Sequence, residues 1–204
     1  MSASGSKVSS VISLKGSTAI VTEFFGFCIN SILYQRGIYP PDKFQTVTKY
    51  GLPIHITNDR GLMNYLGQVL SQISEWVMSG SIQRFVIVIS SAASGEVIER
   101  WVFNVETDKQ MASSGRTSDK SEVEIQREIQ ALIRQITVTV TVLPLIKVPC
   151  TFDLLVYADE DVDIPAAWEE SDPKYVIGAT EIPIRSFTTK IHKVTPSVSY
   201  HEDD

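Results

Sequence analysis

The sequence contains little cysteine and little histidine. Its 204 residues include two cysteines, Cys28 and Cys150, and three histidines, which lie far apart along the chain. Neither cysteine belongs to a CxxC pair, and a disulfide framework or a zinc site requires several such residues at close spacing. We therefore expect two reduced thiols and no metal site built from these residues.

Long apolar segments are also missing. The first sixteen residues are rich in serine and contain no unbroken apolar stretch of the length that a secretory signal needs. The longest apolar segment, residues 20–33, is interrupted by Glu23 and Asn30 and is shorter than the roughly 20 residues that span a bilayer. We expect neither export nor membrane insertion.

The motifs of common enzyme classes are absent from the sequence, which contains no GxSxG, GxxxxGK[ST], HExxH or GxGxxG. A calcium-binding loop is the best metal candidate, but its position 6, which requires glycine, is Ile164. The four acidic residues at positions 1, 3, 5 and 12 of that loop are Asp159, Asp161, Asp163 and Glu170. We therefore expect no metal, no cofactor and no catalytic residue, and interpret the acidic run as a solvated turn.

Positive charge is in the minority. Lysine and arginine number 18 against 24 acidic residues, a net charge of −6, which argues against nucleic-acid binding through bulk positive charge. Residues 159–204 hold eleven acids and four bases, a net charge of −7, whereas residues 1–158 have a net charge of +1. Such an asymmetry is typical of a solvated tail or of a surface for a basic partner.

Three segments have the apolar spacing of helices. The first begins near Ser17 and is apolar on every side, as expected for a helix at the centre of a fold. The second covers residues 59–79 and carries a single apolar stripe. The third covers residues 121–136 and begins with a capping-box pattern at Ser121 and Glu124.

β-branched and aromatic residues indicate the strands. A hairpin is predicted at residues 85–91 and 97–106, and its second strand places Glu99 on an otherwise apolar face. Residues 107–120 are predicted to form a long surface loop. Because strand pairs are not separated by regular crossover helices, the pattern predicts an α+β domain with an antiparallel sheet. Further strands are predicted at residues 137–143, 150–157 and 182–194.

Four stretches of sequence are specific enough to indicate a family. They are SILYQRGIYP at residues 31–40, SGEVIERWVFNVETD at 94–108, RQIT at 134–137 and SFTTKIHKV at 186–194. Together they resemble the spindle-checkpoint members of the HORMA-domain family, and the resemblance extends from about Leu14 to Tyr200.

The resemblance implies a domain organisation. The fold would be a HORMA domain over residues 14–204, with three helices packed on an antiparallel sheet and a flexible segment before it at residues 1–13. Its core would cover about residues 14–158. The remainder, about residues 159–204, would be a mobile C-terminal safety belt, here called the belt.

The resemblance also implies a function. Checkpoint HORMA proteins switch between an open form, in which the C-terminal segment covers a sheet edge, and a closed form, in which it wraps a partner peptide. The implied partners are mitotic arrest deficient one and cell division cycle twenty, within the mitotic checkpoint complex that inhibits the anaphase-promoting complex and delays anaphase. The implied location is the nucleus and cytoplasm, with recruitment to unattached kinetochores.

Matching positions carry the family's site residues into this sequence. The peptide-binding positions are Phe152, Leu154, Val156 and Tyr157 on the receiving strand, with Trp76 and Trp168 in the closed pocket. The positions of the open–closed dimer interface are Arg134, Gln135, Thr141 and Arg185, and Leu14 is the switch position. Val142 departs from the aromatic residue of vertebrate members, and the chain ends in an acidic YHEDD.

Two alternatives remain. Another HORMA protein, such as the translesion polymerase zeta subunit or a meiotic axis component, would clasp peptides by the same physics in a different pathway. An enzyme would require a catalytic constellation, and no group of residues in the sequence indicates one.

Overall fold

The computed structural model describes residues 11–201, and its architecture is the predicted α+β domain with an antiparallel sheet. Four α-helices lie in this range, rather than the three that the sequence predicted, together with a short 3-10 helix at Pro41–Lys43. They are α1 (Leu14–Gln35), α2 (Arg60–Ser79), α3 (Lys109–Ser113) and α4 (Glu122–Val140). The additional helix, α3, is a single short turn within the predicted loop at residues 107–120, where the Asp108 side chain accepts hydrogen bonds from two backbone N–H groups.

Helix α1 is the centre of the hydrophobic core. By length and composition alone it could cross a membrane, but ten of its 22 residues are buried within the domain. Phe24 and Phe25 are completely buried, and the ring of Phe25 lies 5.0 Å from that of Phe85 on the sheet. An apolar helix of this kind is therefore accounted for by core packing.

The ends of α2 follow the predicted signals. The Asp59 side chain accepts a hydrogen bond from the backbone N–H of Leu62 at 3.0 Å, which satisfies one of the free donors at the helix start. The helix ends at Gly80, whose φ of 70° lies in the left-handed region that favours glycine.

The prediction of a strand at residues 137–143 is wrong, because α4 continues through Val140. The alternating threonine and valine residues favour a strand locally. However, Ile129, Leu132, Ile136 and Thr139 form a buried stripe of the helix at intervals of three and four residues. Burial of this stripe outweighs the local preference, and the Thr137 hydroxyl donates back to the Ile133 carbonyl within the helix.

The structure contains a hairpin that the sequence analysis did not predict. β1 and β2 pair in antiparallel register as a separate two-stranded sheet. Their turn consists of Tyr50 and Gly51, both with positive φ, as a tight two-residue hairpin turn requires. The strands are β1 (Phe44–Lys49) and β2 (Leu52–Thr57).

The main sheet has six strands in the described residues, with the order β5, β3, β4, β8, β6 and with β7 paired to β8. The predicted strand at residues 182–194 is in fact divided into parts of three strands. The sheet consists of β3 (Ile82–Ser91), β4 (Val97–Thr107), β5 (Cys150–Ala158), β6 (Thr180–Pro183), β7 (Phe187–Thr188) and β8 (His192–Tyr200).

The two faces of the main sheet pack differently. The inner face contacts α1, α2 and α4 through a large cluster that includes Phe85, Trp101 and Phe103. The outer face carries a smaller buried cluster centred on Val86 and Val88. The inner face is covered by helices, and the edges of the sheet are the features that can offer unpaired backbone to a partner.

Candidate functional site

Strand β5 is an edge strand. It pairs with β3 along its whole length, from Cys150 opposite Ser91 to Ala158 opposite Ile82. Within residues 11–201, no strand pairs with its other side. A free edge presents a row of backbone N–H and C=O groups to which an extended peptide can add as a further strand.

The side chains that were predicted to bind a peptide lie on both faces of β5. Phe152, Leu154 and Val156 pack with the inner cluster, whereas Tyr157 packs on the outer face. Leu155 joins Tyr157 there, although the sequence analysis did not select it. The period-two alternation of a strand was the signal that could have identified it.

The belt begins on the inner side of β5. After β5 the chain turns, with the Asp159 N–H donating to the Ser81 carbonyl at 2.9 Å. Trp168 then packs against Trp76 of α2, edge to face, with ring centroids 4.9 Å apart. Trp76 is 6% exposed, and the structure brings together the two tryptophans that the resemblance assigned to the pocket.

The belt next passes to the outer face. The Nζ of Lys174 lies 2.6 Å from an Oδ of Asp153, which shares the outer face of β5 with Leu155 and Tyr157. Residues 169–173, here called the crossing segment, therefore run around the free edge of β5. The chain then continues to the opposite edge of the sheet, where β6 and β8 add beyond β4.

A cavity of about 510 Å³ lies along this edge, between β5 and the belt. Residues 154–158 form its strand side, and their consecutive numbering means that the edge of β5, rather than only one of its faces, borders the cavity. Trp76 and Trp168 supply aromatic walls. The cavity thus combines unpaired backbone with apolar surface, which is the arrangement that an extended apolar peptide requires.

The rim of the cavity is acidic. Four carboxylates border it, and the described residues that line it include no lysine or arginine. A hydrogen bond from the Gln83 side chain, followed by the nearby charge of Lys109, holds the pKa of Asp159 below its usual range, so this carboxylate is ionised at neutral pH. The four are Asp159, Glu160, Glu169 and Glu170.

Comparison with known proteins identifies the family of this chain. The HORMA domain model matches residues 17–192. The chain belongs to the HORMA-domain family. The mitotic spindle assembly checkpoint protein MAD2A of Dictyostelium discoideum is 56% identical over 190 residues, 93% of each chain. MAD2A of Homo sapiens is 51% identical over 189 residues, which cover 93% of this chain and 92% of the relative.

Solved structures agree with this assignment. A chain in the crystal structure of the mitotic checkpoint complex superimposes on this HORMA domain with a TM-score of 0.84 at 43% identity, covering 92% of this chain and 99% of that one. C. elegans HTP-2 bound to a HIM-3 closure motif has a TM-score of 0.76 at 12% identity over 93% and 92% of the two chains, which shows a shared fold alone. The predicted fold is confirmed, and this HORMA domain lies in the spindle-checkpoint branch of its family.

The predicted dimer positions of the HORMA domain lie at the exposed side of α4. Arg134 is exposed, and Thr141, seven residues further along, lies on the same side of the helix. The side-chain oxygen of Gln135 accepts a hydrogen bond from the backbone N–H of Arg185 at 2.9 Å. Val142, which follows the helix, is 65% exposed. The structure thus places all four positions, and Val142 with them, at one surface region around the C-terminal half of α4.

The switch position, Leu14, is the first residue of α1 and is half-buried. Of the segment predicted to be flexible, residues 1–10 lie outside the described residues. Ile12 is buried and pairs with Ser118 through two backbone hydrogen bonds.

Two buried polar contacts of the HORMA domain were missed in the sequence. The Ser17 hydroxyl lies 2.6 Å from the Nδ1 of His192, which links the start of α1 to the start of β8. Arg36, at the end of α1, pairs with Glu99 of β4, with Nε 2.6 Å from Oε2. The position of Glu99 on an apolar strand face was the available signal for a buried charged partner.

Within the described part of the chain, no three histidine, cysteine, aspartate or glutamate side chains cluster in a way that could hold a metal ion. Cys28 and Cys150 are both free, and burial raises the pKa of each thiol above its usual value. These groups therefore add no chemistry to the cavity beside β5.

Proposed function

We propose that this HORMA domain is a spindle-assembly checkpoint adaptor that captures an extended peptide as an additional strand on β5 and holds it beneath the belt. The free β5 edge enclosed by the crossing segment is the observation that carries the proposal. Each added backbone hydrogen bond contributes only about 1 kcal/mol. A short peptide would therefore leave an open edge quickly, whereas a peptide under the belt is also retained by the chain that surrounds it.

The arrangement of the C-terminal residues supports a closed state for the described conformation. Residues 192–200 pair with β4 at the edge opposite β5, which leaves β5 available. In the corresponding open form, the C-terminal segment would cover β5 instead. The adaptor would then exchange its own segment for a partner strand, a population shift that ligand binding drives toward the closed form.

The proposed partners are mitotic arrest deficient one, at unattached kinetochores, and cell division cycle twenty. Similarity to a chain of the mitotic checkpoint complex supports this choice. Capture of the second partner would assemble that complex, inhibit the anaphase-promoting complex and delay anaphase in dividing cells. The adaptor would act in the nucleus and cytoplasm by binding alone, without a catalytic step or a cofactor.

A second interaction, between one open and one closed copy, would use the exposed side of α4. The grouping of Arg134, Thr141 and Arg185 at one surface region supports this assignment. A closed copy bound to one partner would in this way recruit a free open copy and assist its conversion.

Titration with a synthetic peptide tests the proposed function. The peptide carries one basic residue, two aliphatic residues and a downstream proline, and the full chain is observed by NMR. We expect the largest shift changes in β5 and in residues 159–201. A peptide with N-methyl groups on the alternate residues whose N–H groups would face β5 is the matched control, because it keeps the side chains and loses the backbone donors that pair with the strand.

The N-methylated peptide should bind far more weakly. Equal binding of both peptides, or shift changes confined to another surface, would contradict strand addition. Because the cavity rim is acidic, affinity for the unmodified peptide should also fall as salt concentration rises. An affinity that is equal at low and high salt would show that the acidic rim does not attract the peptide.

A further inference from the structure

The crossing segment is fixed at both of its ends, on opposite faces of the sheet. Its inner end follows Trp168, whose ring packs on Trp76. Its outer end precedes Lys174, whose ammonium group contacts Asp153 of β5. Trp168 and Lys174 are six residues apart, a span of at most about 22 Å. The crossing segment must therefore pass close to the β5 edge as long as both contacts hold.

The outer contact is an ion pair of good geometry but partial exposure. Lys174 Nζ and Asp153 Oδ2 lie 2.6 Å apart, and the two side chains are 32% and 44% exposed. Lys174 also adopts a φ of 51°, in the left-handed region that favours glycine. A non-glycine residue keeps this conformation only where the surrounding structure holds it.

Arg100 of β4 adds three contacts beside this ion pair. Its Nε donates to the Pro173 carbonyl at 3.2 Å, and its Nη2 donates to the Tyr157 hydroxyl at 3.1 Å. Its guanidinium also lies 4.8 Å from the centre of the Tyr175 ring, within the range of a cation–π contact. Arg100 therefore joins β4 and β5 to the belt on either side of Lys174.

The burial of Arg100 depends on the belt. The residue is 5% exposed and forms no ion pair with any carboxylate in residues 11–201. A buried guanidinium requires hydrogen-bond acceptors in place of water. Two of its three contacts come from Pro173 and Tyr175 of the belt, so the contacts of Arg100 and the position of the belt are coupled.

We propose that Lys174 and Arg100 are positioning residues that lock the belt to the outer face of the sheet and so set how long a captured peptide is retained. This inference rests on the proposed function. A peptide strand beneath the crossing segment can leave sideways only when one end of that segment is released. The inner end is held by the packing of Trp168, which is partly buried, on the buried ring of Trp76. The outer end is held by a partly exposed ion pair and by the polar contacts of Arg100, which water can replace. The outer end is therefore the one that opens.

The test measures the dissociation rate of a captured peptide. A fluorescent version of the synthetic peptide described above is bound to the full chain and displaced by an excess of unlabelled peptide. Loss of an exposed ion pair changes an equilibrium by up to about fivefold. We expect Lys174→Ala to accelerate dissociation about two- to fivefold and to weaken the acceleration that salt causes in the unaltered chain.

Lys49→Ala is the matched control. Lys49 forms an ion pair with Glu23 at 2.9 Å, each side chain is 41% exposed, and the pair lies between β1 and α1, away from the belt. The substitution removes the same charge and a comparable contact. We expect an unchanged dissociation rate, and an equal acceleration in both variants would overturn the assignment to Lys174.

Exchange of the two charges provides the decisive comparison. Lys174→Glu and Asp153→Lys should each accelerate dissociation, because each places two like charges together. The double variant should return the rate to within about twofold of the original, since the pair is restored in reverse order. A double variant as fast as the single variants would overturn the ion-pair half of the lock.

Arg100→Lys tests the other half. It keeps the positive charge and loses the planar guanidinium that reaches two acceptors at once. Dissociation of the peptide should therefore again be faster. An unchanged dissociation rate would show that Arg100 is not part of the lock. The outcomes also separate the two proposals. If the peptide fails to bind the unaltered chain, the proposed function fails. If it binds and no Lys174 or Arg100 variant changes its dissociation, only the lock fails.

Discussion

The buried ion pair between Arg36 and Glu99 allows a quantitative prediction. The side chains are 5% and 1% exposed. Glu99 also accepts a hydrogen bond from the Trp101 indole N–H at 2.9 Å, and Arg36 donates to the Pro144 carbonyl at 2.6 Å. The pair thus connects α1, β4 and the chain that precedes β5. Glu99→Gln removes the negative charge with little change of shape and leaves the arginine cation buried without a counter-ion.

Removing one partner of a buried ion pair costs about 3–5 kcal/mol. For a chain of this size, 1 kcal/mol corresponds to roughly 2–4 °C in Tm, so Glu99→Gln should lower Tm by roughly 6–20 °C. Thermal unfolding at neutral pH, followed by circular dichroism, measures this shift. Glu106→Gln on the same strand is the matched control, because its ion pair with Lys193 is exposed and long, at 3.7 Å, and should contribute less than about 1 kcal/mol.

A double substitution distinguishes a buried-charge cost from loss of packing. Arg36→Met combined with Glu99→Leu removes both charges and keeps apolar volume, so it should recover most of the stability that Glu99→Gln loses. A cost below about 1 kcal/mol for Glu99→Gln would contradict a penalty for the unpaired buried arginine. A double variant no more stable than Glu99→Gln alone would also contradict it.

Three further predictions concern the pH dependence of stability, the dimer and the switch. Burial lowers the pKa of His192 below its usual value, although the hydrogen bond to the Val77 carbonyl acts in the opposite direction. At a pH between the two pKa values, the unfolded chain therefore binds more protons than the folded chain. The free energy of unfolding should therefore decrease as pH falls from about 6.5 toward the lowered pKa of the folded state, by up to about 1.4 kcal/mol per pH unit. Urea titrations at several pH values measure this dependence, and His192→Gln should reduce it. An identical pH dependence in the variant would show that His192 is not its source. Arg134→Ala should leave Tm unchanged and abolish the open–closed dimer, as measured by light scattering. A variant that still dimerises would contradict the prediction. Leu14→Ala should shift the chain toward the closed form in ion-exchange mobility, and a larger open fraction would argue against its role.

Sequence patterns predicted those elements whose signals are local. The start of α4 depends on Ser121 and Glu124, whose side chains each bond the other's backbone as the capping box requires. The end of α4 was predicted wrongly, because it depends on burial against the rest of the core rather than on the residues at 137–143 themselves. The β1–β2 hairpin was overlooked, although Tyr50 and Gly51 between two alternating segments were a usable signal.

The candidate site divides in the same way. Strand β5 could be predicted because its residue types favour a strand, whereas its assignment as the peptide-receiving strand came from the resemblance and stays a prediction. The buried ion pair between Arg36 and Glu99 could not be predicted from the sequence, because the two residues are 63 positions apart and no spacing rule connects them. The acidic composition of the belt was evident from the sequence, but its path around β5 depends on single tertiary contacts such as that of Lys174 with Asp153.

The contacts of β8 and of the crossing segment differ in a way that orders their release. β8 pairs with β4 along its whole length, from His192 opposite Thr107 to Tyr200 opposite Glu99, and its first residue is also tied to Ser17 of α1. Freeing β8 would break this ladder and expose a buried polar contact, whereas freeing the outer end of the crossing segment breaks a partly exposed ion pair and the contacts of Arg100. The smaller opening therefore requires less free energy. It follows that a captured peptide can be released while β8 stays on β4, and that a return to the open form, which needs β8 to move, is the slower event.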